Sequence, residues 1–411
     1  MITAVTVNGT ALDLDGIEYV VTVSHGRNDI TAIPQASDAT LTLYGFPTIP
    51  VEVSDVIVIE AYGVTRFTGQ ATDVLLTHLA NPDSPVNIVA RLEVTLMGNL
   101  SRLGLAFVGA AGYSQELLET RVENILTDAG VAYANNSDPA MTQEALDAQV
   151  GGYGALDLLT ALCTETGATL ADLPDGNILF ESYSRRGYGY NPAHWYDIDV
   201  TDTWPDIPFI WADVYDRVDA APLTVTIPAA STVWAPTWRS TNATILNDVT
   251  VTYGTSGNQD KTDSDPASIA THGRRAFTLS TQLHYATDAQ TRASEIVRSQ
   301  SEPRYAMANV QVLMETLTEP TLTDVLNLIS GSRVNLDDLP QPSPIEDYTG
   351  VLEGWAETYT PGQHILTLSL SDPRFSYLMA KWSEVSPTLT WAATNPTVQW
   401  YNVVLASDLV A

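Results

Sequence analysis

Two stretches of this chain, far apart in sequence, run through the same order of elements, and that repetition limits its possible folds more than any single motif. Residues 55–59, 67–71 and 91–96 read as three strands, the last alternating apolar and polar side chains with the period of a half-buried strand. Between residues 328 and 370 the order returns in 333–336, 348–355 and 364–370, the last with its leucines on one face. The middle strand of each set carries an aromatic-Thr-Gly triplet, Phe67-Thr68-Gly69 and Tyr348-Thr349-Gly350. The expectation is two β modules of one construction.

What lies around the two sets divides the chain further. Residues 1–112 read as a first β module, with strands over 17–23, 39–43, 51–62, 65–76 and 88–97 and hardly any helix signal. Residues 113–186 switch to helical spacing: Ser114 is the expected cap of a helix ended near Gly130, and a second helix over 155–166 stops at Gly167. Strands over 168–173 and 177–183 follow, turning on Pro174-Asp175-Gly176, so a small α+β domain is expected here. Residues 187–240 form a connecting segment dense in Tyr, Trp and Pro, including Trp195, Trp204, Trp211, Trp234 and Trp238. The second β module spans 241–375, opening on a strand at 249–253, with a polar loop at 260–265 and a helix over 288–298. Residues 376–411 extend past it.

Composition narrows the function classes. With 45% hydrophobic and 16% charged residues, the 411-residue chain reads as globular and β-rich. Its formal net charge of -31 repels phosphate, so a protein that grips nucleic acid or an anionic membrane is not expected. The one cysteine, Cys163, has no internal disulfide partner and falls on the apolar side of its predicted helix. Neither a signal peptide nor a membrane-spanning apolar run is apparent, so membrane insertion is not expected.

Catalysis leaves little trace. The sequence carries no Gly-x-Ser-x-Gly elbow, no phosphate-cradling Gly-x-x-x-x-Gly-Lys loop and no His-Glu-x-x-His. The six histidines, His25, His78, His194, His272, His284 and His364, show no metal-ligand spacing. Asp197, Asp199 and Asp202 cluster, but without the glycine and terminal glutamate of a calcium loop. The reading is a protein that is not an enzyme and holds no cofactor or metal.

Several short motifs, taken in order, resemble the baseplate hub or tail-tip proteins of long-tailed bacteriophages, most closely the minor tail proteins of actinobacterial phages. They are Ser24-His25-Gly26-Arg27 before Ala39-Thr40-Leu41-Thr42-Leu43; Phe67-Thr68-Gly69; Ser268-Ile269-Ala270-Thr271-His272-Gly273-Arg274-Arg275; and Thr349-Gly350-Val351-Leu352-Glu353-Gly354-Trp355 leading to Leu368-Ser369-Leu370-Ser371-Asp372. The resemblance implies a mainly β fold with α+β insertions, two β-barrel hub-type domains joined by small α/β domains. It also implies a homotrimeric ring that adapts a hexameric tail tube to the tip and surrounds the DNA channel. The expected partners are tail-tube and distal tail proteins and other tip or fibre proteins, with phage DNA passing through without specific binding. The expected location is the virion, after synthesis in the host cytoplasm. Some members of that family add a peptidoglycan-cleaving domain after the hub; the stretch after Arg374 is below the size of a self-sufficient domain, so such activity is not expected of these residues.

Two surfaces stand out as interaction candidates. Trp382, Trp391 and Trp400 are evenly spaced in the extension, the last two within Pro-Thr-x-x-Trp units, and such short strands are expected to dock on another subunit or tail protein. The aromatic segment over 188–238 supports the alternative function, a carbohydrate- or receptor-binding tail protein.

Overall fold

The computed structural model describes residues 2–372, apart from 29–31, 46–49, 82–83, 135–144, 150–151, 182–223, 229–232, 235–236, 241, 255–258, 304 and 340–346. The first module is an antiparallel meander. Val56–Ala61 pairs with Val64–Asn81, which pairs with Ser84–Met97, and Asp38–Tyr44 and Glu18–Gly26 continue the sheet on the far side. Alternate positions such as Val21, Leu41, Ile57, Phe67 and Leu96 fill its core, as the period of two requires.

Around the aromatic-Thr-Gly triplet the second module repeats the pairing of the first. Arg333–Asp337 pairs with Tyr348–Thr360, and that strand pairs with Gln363–Ser371, which in turn pairs with Tyr305–Leu313. Ile57 lies opposite Gly69 and Ile59 opposite Phe67; Val334 lies opposite Gly350 and Leu336 opposite Tyr348. Ala71 pairs with Leu96 and Leu352 with Leu370, and immediately afterwards each middle strand is bulged, at Thr72 and at Glu353. A shared bulge means both strands twist and re-aim their side chains at the same point.

The aromatic-Thr-Gly triplet has a packing reason. A Cβ on Gly69 would stand 2.7 Å from the Phe67 ring, and one on Gly350 would stand 2.8 Å from the Tyr348 ring. Two residues apart on a strand share a face, so each ring lies over its own glycine, where only a hydrogen fits. Neither glycine adopts a left-handed backbone.

The two modules are not separate sheets, as the sequence pattern alone suggested. Tyr348–Thr360 pairs with Glu18–Gly26, and one sheet, of 14 strands among the described residues, runs through both, with a distinct core in each.

Between the modules sits an α+β unit with its own core. Ala155–Thr166 ends on Gly167 and Leu118–Ala129 on Gly130, both glycines left-handed as their role as helix stops demands. Leu117, not Ser114, precedes the first of these helices, because Glu116–Leu117 is first drawn into a short ladder with Ala145–Leu146. The hairpin of Thr169–Asp172 and Ile178–Glu181 turns at the expected Pro-Asp-Gly.

Three readings from the sequence change here. The strand Asp248–Tyr253 does not open the second module: it pairs with Gln259–Ser264 and Ala276–Ser280 in a separate three-stranded sheet. Val249, Val251, Ala289 and Ile296 then bury in the middle core, beside Leu100, Leu103 and Val108, which the sequence grouped with the first module. The expected polar loop at 260–265 is the strand Gln259–Ser264, an exposed edge whose charged side chains suit an outermost strand.

Candidate functional site

The most concentrated chemistry in the molecule lies where the two modules meet. Six residues of Tyr348–Thr360, Gly354 to Tyr359, run antiparallel to Val21 through Gly26. The approach is close enough to dictate glycine on both sides. A Cβ on Gly26, whose φ is +72°, would stand 2.8 Å from the Gly354 Cα, and one on Gly354 would stand 2.7 Å from the Arg27 nitrogen. Beside this crossing, Arg27 Nε donates to Glu353 Oε2 at 2.9 Å, and Ser371 donates to the other carboxylate oxygen.

Deeper in the seam, Arg66 of the first module meets Glu357 of the second, the two residues each 1% exposed. Arg66 donates through Nε at 3.0 Å and Nη2 at 2.6 Å to Glu357 Oε1, and through Nη1 to the Leu326 carbonyl. Three further side chains converge on the same carboxylate: Trp355 Nε1 at 2.9 Å, the Tyr359 hydroxyl, and His364 Nε2 at 2.9 Å. The His364 ring stacks on Tyr359 with centroids 4.1 Å apart. Burial alone would raise the Glu357 pKa, but Arg66 and His364 outweigh it and hold the carboxyl well below its usual range. Arg66 is raised in turn: burial works against its charge and the Glu357 carboxylate overrides it.

His25 closes the network on the other side. Its ring stacks on Trp355 at 4.7 Å, Nε2 meets the Arg66 carbonyl at 2.7 Å and Nδ1 meets the Ser37 hydroxyl at 2.7 Å. A carbonyl can only accept, so Nε2 carries the proton and Nδ1 accepts from Ser37. Burial lowers the His25 pKa to about 4, which fits this neutral tautomer.

A carboxylate, two imidazoles and a guanidinium could suggest catalysis, but His25, Arg66, Glu357 and His364 are all at most 3% exposed. What the arrangement can do is fix two modules in one orientation, since its charges are satisfied only when both are in place.

A second clamp ties the first module to the middle unit. Asp172 accepts from the backbone of Ser37 at 2.8 Å and of Leu100 at 2.9 Å, while burial raises its pKa to about 6 against the pull of those bonds. Within the middle unit, Arg121 is fully buried and reaches the Ser114 and Asp147 carbonyls together with Gln149 and Gln282. An open depression nearby is lined by Ala110, Gly112, Tyr113 and Gln149. Among the described residues no cluster of three or more His, Cys, Asp or Glu is arranged for a metal ion, and no helix is long and apolar enough to cross a membrane.

Trp382, Trp391 and Trp400 lie outside the described residues, as do Trp195, Trp204, Trp211 and the carboxylates of Asp197, Asp199 and Asp202. Of the aromatic segment, Trp238 is described and packs edge-on against Tyr348 at 5.3 Å. Sequence reasoning passed over Arg66 and Glu357. One signal was present: His364 shares the parity of Leu366, Leu368 and Leu370, which puts a polar ring on the buried face.

No family model matches the chain, and no curated protein matches its sequence. Solved structures do match its fold. The 43 kDa tail protein of prophage MuSo2 from Shewanella oneidensis superposes with a TM-score of 0.58 at 11% identity, over 92% of this chain and 99% of that one. The tail protein from Neisseria meningitidis MC58 gives 0.56 at 11% identity, over 91% and 97%. A prophage tail protein from Listeria monocytogenes EGD-e is more distant, at 0.47 and 12% identity, over 85% and 94%. On the first two superpositions, the chain has a fold found in phage tail proteins across almost its whole length.

Proposed function

We propose that this chain is a structural protein of a long-tailed phage virion, of the actinobacterial minor tail type, sited at the tail tip or baseplate hub. Three copies form a ring there that adapts a hexameric tail tube to the tip and surrounds the DNA channel. One observation carries this reading: the two modules share strand order and, around the aromatic-Thr-Gly strand, the register and the bulge that follows it. Three chains therefore bring six equivalent strand sets to one ring, which is what a sixfold neighbour needs to meet. The buried Arg66–Glu357 network supports it, because a module pair that must act as two adjacent places in a ring needs a fixed angle between them.

The formal charge of -31 has a use in this role. Acid facing the bore lets DNA slide past a like-charged wall. The extension with Trp382, Trp391 and Trp400 serves as a docking strip for a neighbouring tail protein; truncation after Arg374 then leaves a folded chain that no longer joins the tail. Gold-labelled antibody against the chain, viewed on intact particles, tests the assignment. Label at the tail tip is expected. Label along the tube, at the head, or on no particle overturns it.

A further inference from the structure

The seam inside the chain has a counterpart that the chain leaves unmade. Within the seam Trp355 lies opposite His25 and Ala356 opposite Ser24. The common register assigns each of these residues an equivalent in the other module. Leu96 and Leu370 are equivalent, as the partners of Ala71 and Leu352; Val94 and Leu368 then lie two residues earlier in each strand. Val74, opposite Val94, is therefore the equivalent of Trp355, and Leu75 that of Ala356. Ala39 and Met307 are equivalent as the partners of those leucines; the bulge between Met307 and Val310, which Asp38–Tyr44 lacks, lies on the far side of this pair from the residues that Thr237–Ser240 meets at Ala306 and Tyr305. Arg239 and Ser240 are then the equivalents of Ser24 and His25.

These equivalents stand far apart in the chain's own sheet, with the strands of both modules between them. The ladder of Val56–Ala61 on Val64–Asn81 stops at Gln70, with a last pair of backbone bonds at Ala71. From Thr72 to His78 the outer edge of the strand carries no strand among the described residues. Leu75 is 52% exposed and Leu76 38%. That edge has no proline and no lysine, and Asp73 is its one formal charge, so it lacks the usual protection against pairing. The strand Thr237–Ser240 pairs with Tyr305–Leu313 and stands at the opposite flank of the sheet.

We infer that the edge over residues 72–78 of one copy takes the strand Thr237–Ser240 of a second copy, antiparallel, with Leu75 opposite Arg239 and Val74 opposite Ser240. The inference rests on the ring reading and gives it an interface. Such a contact is head-to-tail, and it closes after three copies when it and the internal seam each turn the structure by about 60°. Internal and intermolecular seams then alternate around the ring.

The test is a disulfide in assembled particles of the full chain carrying Leu75→Cys and Arg239→Cys. The native Cys163 is buried and does not compete. Mild oxidation is expected to give thiol-reversible covalent dimers and trimers, at least tenfold more than either single variant or Leu75→Cys with Thr237→Cys. In parallel, Leu75→Asp is expected to keep the wild-type unfolding midpoint and to lower incorporation into particles at least tenfold. Cross-linking no higher than in the single variants, in particles whose rings hold three copies, overturns the edge pairing and leaves the ring reading standing. Wild-type incorporation of a folded Leu75→Asp chain does the same. Rings of one or six copies overturn both.

Discussion

At the scale of single residues, the seam rests on a buried ion pair, whose energetics are asymmetric. Desolvating both charges costs about as much as their attraction returns, whereas removing one partner strands the other in the core at a cost of about 3–5 kcal/mol. Glu357→Met and Arg66→Met should each destabilise by at least that amount, while the double substitution should cost clearly less than their sum, read by denaturant unfolding. Simple addition of the two single effects would contradict the account. Glu357 titrates below its unfolded value, so its contribution is present above pH ~4.3 and fades as pH falls toward the lower folded value. Glu165 has the opposite sign. Burial, against the Gln282 backbone bond, raises its pKa to about 7. The folded state then holds the proton more tightly than the unfolded chain, and stability is lost as pH rises through about 4.3–7. Relative to wild type, Glu165→Gln should gain about 2–3 kcal/mol between pH 4.5 and 8. Parallel pH profiles would rule this out.

At the scale of elements, the seam depends on two glycines facing each other across Glu18–Gly26 and Tyr348–Thr360. Gly354→Ala drives a methyl group into the Arg27 backbone and should cost about 1–3 kcal/mol or more. Hydrogen exchange should show the loss first in Glu18–Gly26, with Val56–Ala61 still protected; uniform loss would contradict a local role. These elements also explain what the sequence could reveal. The meander strands were legible because period-two alternation follows from burying one face, and the helix stops at Gly130 and Gly167 because a left-handed cap favours glycine. His25-Gly26-Arg27 and Glu353-Gly354-Trp355 were visible as motifs, but their meaning was not: they are neighbours across 328 residues for the Gly26–Gly354 pair, and only strand pairing brings them together. Asp248–Tyr253 alternates as cleanly as any module strand. Periodicity reports that one face is buried and not which core it enters, so its true sheet could not be read. Arg66 and Glu357 were missed because a charged side chain inside an alternating strand reads as solvated until its partner is known.

At the scale of the whole molecule, the central claim is that one chain supplies two equivalent places in a ring, held at a fixed angle by the Arg66–Glu357 seam. The shared register and bulge give the equivalence, and the continuous sheet gives the rigidity. Under this account the formal charge of -31 per chain is distributed unevenly, with acid concentrated toward the bore and the outer wall nearer neutral. A DNA channel lined by neutral or basic side chains in the assembled ring would contradict that part. The most direct test of the claim itself is an electron cryo-microscopy reconstruction of the tail tip, computed without imposed symmetry. The account predicts three copies of this chain per ring, with their six meanders arranged at nearly equal angles about the tail axis. One or six copies, or three copies whose two modules lie at different radii, would contradict it.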